Sequence, residues 1–177
     1  MSATLERFIR TPALRAYGET LARHLSVYWV LYGVVLTTIA VFNSHFAIGV
    51  NATPSLAYTI CLIAKGDLEV RRGDLVAFRW HGGGPYPEGV VFTKIVRGLP
   101  GDEVTRESRA YFVNGLAVGW AKPFTANRTP LAPGPVGVIP EGHYYVSGTH
   151  PDSLDSRYAL AGWIPRSALI GRAYVVF

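Results

Sequence analysis

Residues 25–44 read LSVYWVLYGVVLTTIAVFNS, a run of twenty residues without a charged side chain. An α-helix needs about 20 apolar residues to cross the hydrocarbon core of a bilayer. Tyr28, Trp29 and Tyr32 lie near the start of the run, where aromatic side chains meet the membrane interface. A cleaved signal peptide is the alternative, but its apolar region normally has about 7–15 residues. The pattern predicts an uncleaved transmembrane anchor over residues 25–44.

The charges beside this anchor predict its orientation. Residues 1–24 contain four arginines and two glutamates. Positively charged flanks stay on the cytoplasmic side of a membrane helix. We therefore expect 1–24 to be a cytoplasmic N-terminal segment with some amphipathic helix, and 45–177 to form a domain on the opposite side of the membrane.

A second uncharged stretch follows from residue 46 to residue 64. It could form a second span, which would return the C-terminus to the cytoplasm. However, Gly49, Asn51 and Pro54 interrupt it, and residues 43–45 are a very short connector between two antiparallel spans. The favoured interpretation is an apolar stretch lying on or near the membrane that then enters a β domain.

The rest of the chain has the pattern of a mostly β domain. Short apolar runs alternate with turn signals rich in glycine and proline. Strands are predicted over residues 74–80, 90–96, 111–113, 143–146 and 168–177. Residues 81–89 (HGGGPYPEG) are predicted to be a loop, and the proline-rich residues 121–137 an irregular surface insertion. The fold class is thus a mostly β domain behind one N-terminal transmembrane helix.

Composition excludes several classes of function. The net charge of +5 is spread thinly, without the basic stripe of a nucleic-acid-binding protein. One cysteine, Cys61, excludes an intrachain disulfide framework and a four-cysteine zinc site. His143 and His150 lack metal-ligand spacing with another histidine or cysteine. We expect no metal, no cofactor and no nucleic-acid partner, and a buried, apolar role for Cys61.

One lysine occupies an unusual position within a predicted strand. Alternation in the run 90–97 places Val90, Phe92, Lys94 and Val96 on the same, more apolar face. Burial lowers the pKa of a lysine amine, and a neutral amine can act as a general base. The alternative is a lysine that protects an edge strand against aggregation.

Ser55 is the candidate nucleophile among the serines. It lies in the segment NATPSL, residues 51–56, the first turn-like break after the anchor. Pro54 makes the backbone before it rigid. A rigid turn can expose a hydroxyl and direct backbone N–H groups at one point, as an oxyanion site requires. The alternative is an ordinary Thr-Pro-Ser turn.

Several short motifs follow one another behind the anchor. They are TPSL (53–56), RGDLV (72–76), KIVRGLPGD (94–102), FVNG (112–115), IPEGHYYV (139–146), SLDSRY (153–158) and GRA (171–173). In this order they resemble the type I signal peptidase family of membrane-anchored serine–lysine proteases. Within that family the sequence is most similar to the conjugal-transfer (TraF-like) peptidases that mature pilin subunits. The likeness covers about residues 51–177 and the anchor.

The resemblance implies a role for each matching side chain. Ser55 is the implied nucleophile and Lys94 its general base. Thr53 occupies the position of a hydroxyl that helps the Ser55 N–H bind the oxyanion. A serine hydroxyl is weakly nucleophilic and needs such a base, and a serine–lysine dyad is a known variant of triad chemistry.

Three further residues have implied supporting roles. Ser153 lies where a second hydroxyl orients the lysine amine. Asp155 and Arg157 occupy the positions of a supporting ion pair. Two alternatives stay open for this pair, because it could be purely structural or, in the conjugal-transfer branch, Asp155 could act more directly.

The resemblance also implies a location and a substrate. The protein would lie in the bacterial inner membrane, with a cytoplasmic N-terminus and a periplasmic catalytic domain. It would process a precursor protein, most simply a conjugative pilin, by hydrolysis or by cyclisation. Its partners would be that precursor, membrane lipid and a conjugative secretion machinery. The alternatives are a general signal peptidase and an inactive membrane-tethered β scaffold of a secretion complex.

Two departures from the family pattern bear on substrate preference. Many relatives have Pro-x-Gly after the nucleophile, where this chain has LAYT over residues 56–59. Housekeeping signal peptidases have Gly-Asp-Asn where this chain has Gly148, Thr149 and His150. Both departures favour the specialised branch of the family.

Overall fold

The computed structural model describes residues 12–51, 55–66, 68–125 and 127–177. The chain divides after Ser44 into two compact units. The first contains all but the last residue of α1, Pro12–His45, a helix of 34 residues. A proline suits the first turn of a helix because its missing N–H would have no partner there.

Helix α1 extends beyond the predicted anchor. It continues without a break through residue 24, and its segment Leu14–His45 is long and apolar enough to cross a membrane. At 1.5 Å per residue, 34 residues rise about 51 Å, whereas the hydrocarbon core is about 30 Å thick. The charged N-terminal turns of α1 therefore extend beyond the length that hydrocarbon can cover. The remainder of the segment 1–24, residues 1–11, lies outside the described residues.

The second unit is built from strands. The described residues form β1 Phe46–Val50, β2 Ile60–Lys65, β3 Leu75–Arg79, β4 Val91–Gly98, β5 Glu103–Glu107, β6 Ala110–Val113, β7 Leu116–Trp120, β8 Gly137–Val138, β9 His143–Ser147, β10 Ile164–Pro165 and β11 Leu169–Val175. A single turn of 3-10 helix, Arg166–Ala168, precedes β11. The predicted mostly β architecture behind one apolar helix is confirmed.

The strands form two antiparallel sheets. The larger has seven strands in the order β1-β2-β11-β3-β4-β9-β10, and the smaller has four in the order β7-β6-β5-β8. The five predicted strands correspond to β3, β4, β6, β9 and β11. The loop 81–89 and the irregular insertion contain no named strand over their described residues up to 136.

The alternative of a second membrane span is wrong. Residues 46–64 contain β1 and most of β2, which pair with each other in the large sheet. The two strands have one buried and one exposed face, as a sheet at the protein surface does. Cys61 and Ile63 are buried, whereas Ile48 and Val50 are each 68% exposed. The buried state predicted for Cys61 is confirmed.

Strand β4 determines where the site lies. It pairs with β3 from Val91 to Ile95, but with β9 only from Ile95 onward. Within the described residues, the segment before Ile95 therefore has a strand on one side and an unpaired edge on the other. Lys94 lies at the end of this open segment.

Candidate active site

Lys94 is buried on an apolar strand face. Its residue is 4% exposed, and Val96 on the same face is fully buried. The ring of Phe92 lies 5.6 Å from the Lys94 Nζ. The predicted placement of a lysine among core side chains is confirmed. Lys94 does lie at an open strand edge, but its buried side chain is not available to keep other strands away.

Burial changes the protonation of this amine. It lowers the pKa of Lys94 to about 8, although the negative charge of Asp155 opposes the shift and the positive charge of Arg157 adds to it. Among the described residues, Lys94 Nζ has no carboxylate within ion-pair distance. A desolvated amine without a close counter-ion loses its proton more readily than an exposed one.

Ser55 lies in the same cavity as Lys94. The cavity has a volume of about 160 Å³, and Asn51 and Ser153 also line it. Ser55 is 5% exposed and its Oγ donates a hydrogen bond of 3.3 Å to Asn51 Oδ1. The structure thus brings the three predicted residues Ser55, Lys94 and Ser153 to one cavity.

The turn that carries Ser55 is tied to the loop after β9. The backbone N–H groups of Thr149 and His150 donate to the Ser55 carbonyl oxygen at 3.0 and 3.3 Å. The Asn51 side-chain amide donates to the carbonyl oxygens of Leu56 and Tyr58 at 3.1 and 3.0 Å. Thr149 and His150 hold Ser55 through their backbone N–H groups. Their side chains, which depart from the family pattern, take no part in these two hydrogen bonds.

Gly148 allows the close approach of two serines. A Cβ on Gly148 would lie 2.3 Å from Ser153 Oγ and 2.6 Å from the Ser55 carbonyl oxygen. Real Cβ atoms do not approach this closely, so any other residue would push the two segments apart. The Gly148 N–H also donates to Asp155 Oδ2 at 2.9 Å.

Ser153 presents a buried hydroxyl to the cavity. The residue is 2% exposed, and its Oγ has no hydrogen-bond partner among the described residues. Buried polar groups are normally satisfied, so an unsatisfied one in a native protein calls for an explanation. It lines the same cavity as Lys94.

Asp155 and Arg157 form the predicted ion pair. Arg157 Nε and Nη2 donate to the two carboxylate oxygens of Asp155, each at 2.8 Å, and both residues are at most 3% exposed. Burial lowers the pKa of the Arg157 guanidinium, but the hydrogen bonds and the charge of Asp155 outweigh it and raise that pKa above its ordinary value. Arg157 also donates to the carbonyl oxygens of Trp120, His150 and Ser153 at 3.1–3.3 Å. The pair therefore fixes the loop that carries Ser153.

Sequence reasoning missed several groups in and around the site. Asn51 could be recognised in the sequence only as an interruption of the uncharged stretch 46–64, not as a residue of the site. The Tyr58 hydroxyl donates a hydrogen bond to Thr93 Oγ1. Burial raises the pKa of Tyr58 to about 12, against the effect of the Thr93 hydrogen bond. Thr53, the predicted oxyanion residue, lies outside the described residues.

Comparison with known proteins identifies the family. The sequence model of the family described as "Signal peptidase, peptidase S26" matches residues 21–177. The chain belongs to this family. A signal peptidase family member with one N-terminal apolar helix fits a membrane-anchored protein.

Individual relatives share parts of the chain. A "Probable signal peptidase I-2" from Synechocystis sp. is 39% identical over 87 residues, which cover 49% of this chain and 38% of that relative. A crystal structure of a signal peptidase I from Enterococcus faecalis superimposes with a TM-score of 0.40 and 22% identity. That superposition covers 63% of this chain and 100% of the Enterococcus chain.

Proposed function

We propose that this signal peptidase family member is a membrane-anchored serine endopeptidase that uses Ser55 as nucleophile and Lys94 as general base. One observation carries the proposal: the buried amine of Lys94, with its pKa lowered to about 8, lines the same cavity as Ser55. At pH 7 such an amine is neutral in about a tenth of the molecules, whereas a lysine with the ordinary pKa would be neutral in roughly one of three thousand. Burial therefore supplies the base that a serine hydroxyl needs.

The chemistry follows from these two groups. Ser55 Oγ attacks the carbonyl carbon of the scissile peptide bond while Lys94 Nζ accepts its proton. Lys94 then returns the proton to the leaving amine, and the C–N bond breaks to leave an ester on Ser55. Water attacks this ester with Lys94 again as base, which releases the acid product and restores the serine.

Other residues of the site would position this pair. The Ser153 hydroxyl lacks a partner among the described residues and is well placed to hold the Lys94 amine in its reactive orientation. Asp155 and Arg157 would act through Ser153, because Arg157 binds its carbonyl oxygen at 3.3 Å. This makes the ion pair a positioning element without direct contact with substrate.

The open edge of β4 offers a binding mode for the precursor. Val91, Phe92 and Thr93 line the cavity, and their strand has no β9 partner there. We propose that the precursor binds in extended form along this edge, since main-chain pairing with an exposed sheet edge is a general mode of peptide recognition. The cavity of about 160 Å³ beside Ser55 would receive the side chain next to the scissile bond.

The precursor we propose is a conjugative pilin, with ring closure as a possible product. The departures over residues 56–59 and 148–150 support the specialised branch. In ring closure, the amine of the same pilin chain would replace water as the group that attacks the ester. A general signal peptidase is the second candidate, and it is favoured by the likeness to the Synechocystis protein named a probable signal peptidase I-2.

The anchor sets the proposed location of this chemistry. We place the cytoplasmic segment at residues 1–24, the anchor at 25–44 and the catalytic domain at 45–177, on the periplasmic side of a bacterial inner membrane. The four arginines before the anchor support this orientation. The lipid of that membrane and a conjugative secretion machinery are the proposed surroundings of the enzyme.

Processing in cells tests the proposal. The full chain is co-expressed with a pilin precursor or with a secretory preprotein, and the products are measured by mass spectrometry. We expect Ser55→Ala to abolish processing and Ser167→Ala, a change at an exposed serine, to leave it unchanged. A ring would be lighter than the linear product by one water molecule.

The alternatives predict different results. Processing that survives in Ser55→Ala would refute the proposed nucleophile. A wild-type protein that processes neither precursor would support the inactive scaffold. Cleavage of the preprotein but not of the pilin would select the general signal peptidase.

A further inference from the structure

His150 contributes an imidazole to the wall of the Ser55–Lys94 cavity. It lines that cavity, and 39% of its side chain is exposed. It lies in the loop after β9, at one of the positions where the chain departs from the pattern of housekeeping signal peptidases. The proton transfers proposed for Ser55 and Lys94 do not involve this imidazole. A bound precursor would nevertheless share the cavity with it.

The backbone of His150 is held on both sides. Its N–H donates to the carbonyl oxygen of Ser55 at 3.3 Å, and its own carbonyl oxygen accepts from Arg157 Nη2, also at 3.3 Å. Arg157 is fixed in turn by its buried ion pair with Asp155. The Cα of His150 therefore has a defined position relative to the nucleophile, and the reach of its side chain is limited to the cavity and its rim.

One of the two ring nitrogens of His150 is already occupied. The backbone N–H of Asp152 donates to His150 Nδ1 at 3.1 Å. A ring nitrogen that accepts a hydrogen bond carries no proton, so the neutral imidazole has its proton on Nε2. The Asp152 carboxylate lies 3.8 Å from Nδ1, beyond hydrogen-bond distance, and accepts from Lys122 Nζ instead. His150 therefore presents an Nε2–H that has no hydrogen-bond partner among the described residues.

We propose that the Nε2–H of His150 donates a hydrogen bond to a main-chain carbonyl oxygen of the bound precursor. A peptide carries one such acceptor at every residue, whatever its side chains are. A neutral N–H on a fixed loop would therefore hold the main chain of the precursor in one register against Ser55. His150 is in this way a substrate-positioning residue and takes no proton from the reacting atoms. This inference rests on the proposed function and names a further group that would position its substrate.

Two amide variants separate the roles of the two ring nitrogens. In His150→Asn the amide oxygen can replace Nδ1 as acceptor of the Asp152 N–H, but no donor remains at the position of Nε2. In His150→Gln the amide nitrogen can replace Nε2 as the donor. Fluorescence anisotropy with a labelled precursor peptide is recorded on full-length Ser55→Ala protein in detergent. We expect His150→Asn to weaken binding about three- to tenfold, the range of one net hydrogen bond, and His150→Gln to retain most of the affinity.

Changes in the peptide identify the acceptor. The carbonyl groups of the three residues on each side of the scissile bond are replaced one at a time by thioamides, whose sulfur is a weaker hydrogen-bond acceptor than oxygen. We expect one thioamide to weaken binding to the protein with His150 and to have no further effect on His150→Asn, which is the coupling that a direct contact produces in a double-mutant cycle. If no position shows this coupling, His150 does not bind the main chain and the inference is overturned.

A second histidine provides the matched control. His143 Nδ1 is hydrogen-bonded to the carbonyl oxygen of Glu141 at 3.0 Å, but His143 lies on β9 and outside the cavity. His143→Asn should therefore bind the peptide as tightly as the parent protein. Normal binding by His150→Asn together with weak binding by His150→Gln would show that His150 only supports its loop, and would overturn the proposed contact.

The binding data also separate this inference from the proposed peptidase activity. Coupling between His150 and one peptide carbonyl, in a protein whose wild-type form cleaves no precursor, would refute the peptidase and retain the contact. Cleavage that depends on Ser55, without coupling at any carbonyl, would retain the peptidase and refute the contact.

Discussion

Two buried cations in the β unit have opposite environments. Lys94 on β4 and Arg157 in the loop after β9 are 4% and 3% exposed. Arg157 makes a two-point ion pair with Asp155, which raises its pKa, whereas burial lowers the pKa of Lys94 to about 8. The two residues are thus equally buried but differ in whether a carboxylate contacts them.

The difference shows how one region can be rigid and the other reactive. A guanidinium keeps its charge in proteins and offers several donors, so it can cross-link a loop while paired with a carboxylate. A primary amine changes its protonation when desolvated, so it can become a base. Exchanging or removing these cations should therefore have distinct consequences for activity and stability.

The largest expected effect is the loss of activity when Lys94 is replaced by arginine, the residue type at position 157. Lys94→Arg keeps the positive charge but cannot supply a neutral base near pH 8. We expect kcat/KM to fall by about 10⁴–10⁶-fold, the range seen when a catalytic group of a serine protease is removed. Lys65→Arg, at an exposed lysine, should leave kcat/KM unchanged. Comparable turnover in Lys94→Arg would show that Lys94 is not the base.

The next largest effect is expected when Arg157 is removed. Arg157→Met leaves the Asp155 carboxylate buried without its counter-ion, and breaking a buried pair in this way costs about 3–5 kcal/mol of unfolding free energy. Denaturant unfolding followed by intrinsic fluorescence measures this loss. The matched control is Arg71→Met, because Arg71 pairs with Glu69 at side-chain exposures of 68% and 81%, and such pairs contribute less than about 1 kcal/mol. Equal losses of unfolding free energy in the two variants would contradict a special structural role of the buried Arg157 pair.

Removal of Lys94 should increase the free energy of unfolding, whereas removal of Arg157 should decrease it. Its pKa of about 8 in the folded protein lies below the ordinary value of 10.5, so below pH 8 folding must bury a charged amine. Between pH 8 and 10.5 the unfolded chain binds more protons, and the stability of the wild-type protein rises with pH. We expect Lys94→Met to be more stable than wild type by ~3 kcal/mol at pH 7, and this gain to disappear by about pH 10.5. A pH-independent gain would argue against desolvation of Lys94.

The same ionisation should govern catalysis. For the wild-type protein, kcat/KM should rise with pH and reach half of its maximum near pH 8, because the proposed base, Lys94, accepts a proton only in its neutral form. Steady-state rates on an internally quenched peptide between pH 6 and 10 measure this profile. A flat profile over that range would contradict the role of Lys94.

The smallest effects are expected for two buried serines, of which Ser153 should affect kcat and Ser156 stability. Ser153→Ala removes a hydroxyl without a partner among the described residues, so stability should change little. The value of kcat should fall about a hundredfold, the lower end of the loss seen when one catalytic hydrogen bond is removed. Ser156→Ala removes the acceptor of the Val146 N–H at 3.0 Å and should cost about 1–3 kcal/mol of stability with kcat retained. Unchanged kcat in Ser153→Ala would refute its positioning role.

Prediction from sequence succeeded where the pattern of apolar and polar residues lies within a single helix or strand. The length of the uncharged run predicts the helix, and alternation along β4 predicts the burial of Lys94. The short strands β8 and β10 were missed because two residues have no periodicity to detect. Strands β1 and β2 were missed because a nearly uninterrupted apolar run is compatible with a span, a surface segment or buried strands.

The candidate site was predicted less completely than the strands. Gly148 was noted as a departure in composition, but its close approach to Ser55 and Ser153 depends on how two distant segments pack. The same holds for Asn51, whose contacts to Leu56 and Tyr58 close a turn that no local pattern specifies. A cavity of about 170 Å³ is lined by residues of the loop 81–89, of the segment 121–137 and of the loop after β9, and no motif in these parts points to it.

The amino-acid sequence by itself determined an apolar helix, a mostly β domain, and a lysine on an apolar strand face. These follow from periodicity and side-chain chemistry, which are properties of neighbouring residues. Tertiary structure alone decided that Ser55, Lys94 and Ser153 meet in one cavity, and that Arg157 is paired while Lys94 is not. The reason is that desolvation and charge pairing depend on atoms brought together from segments far apart in the chain, and these set the pKa of each group.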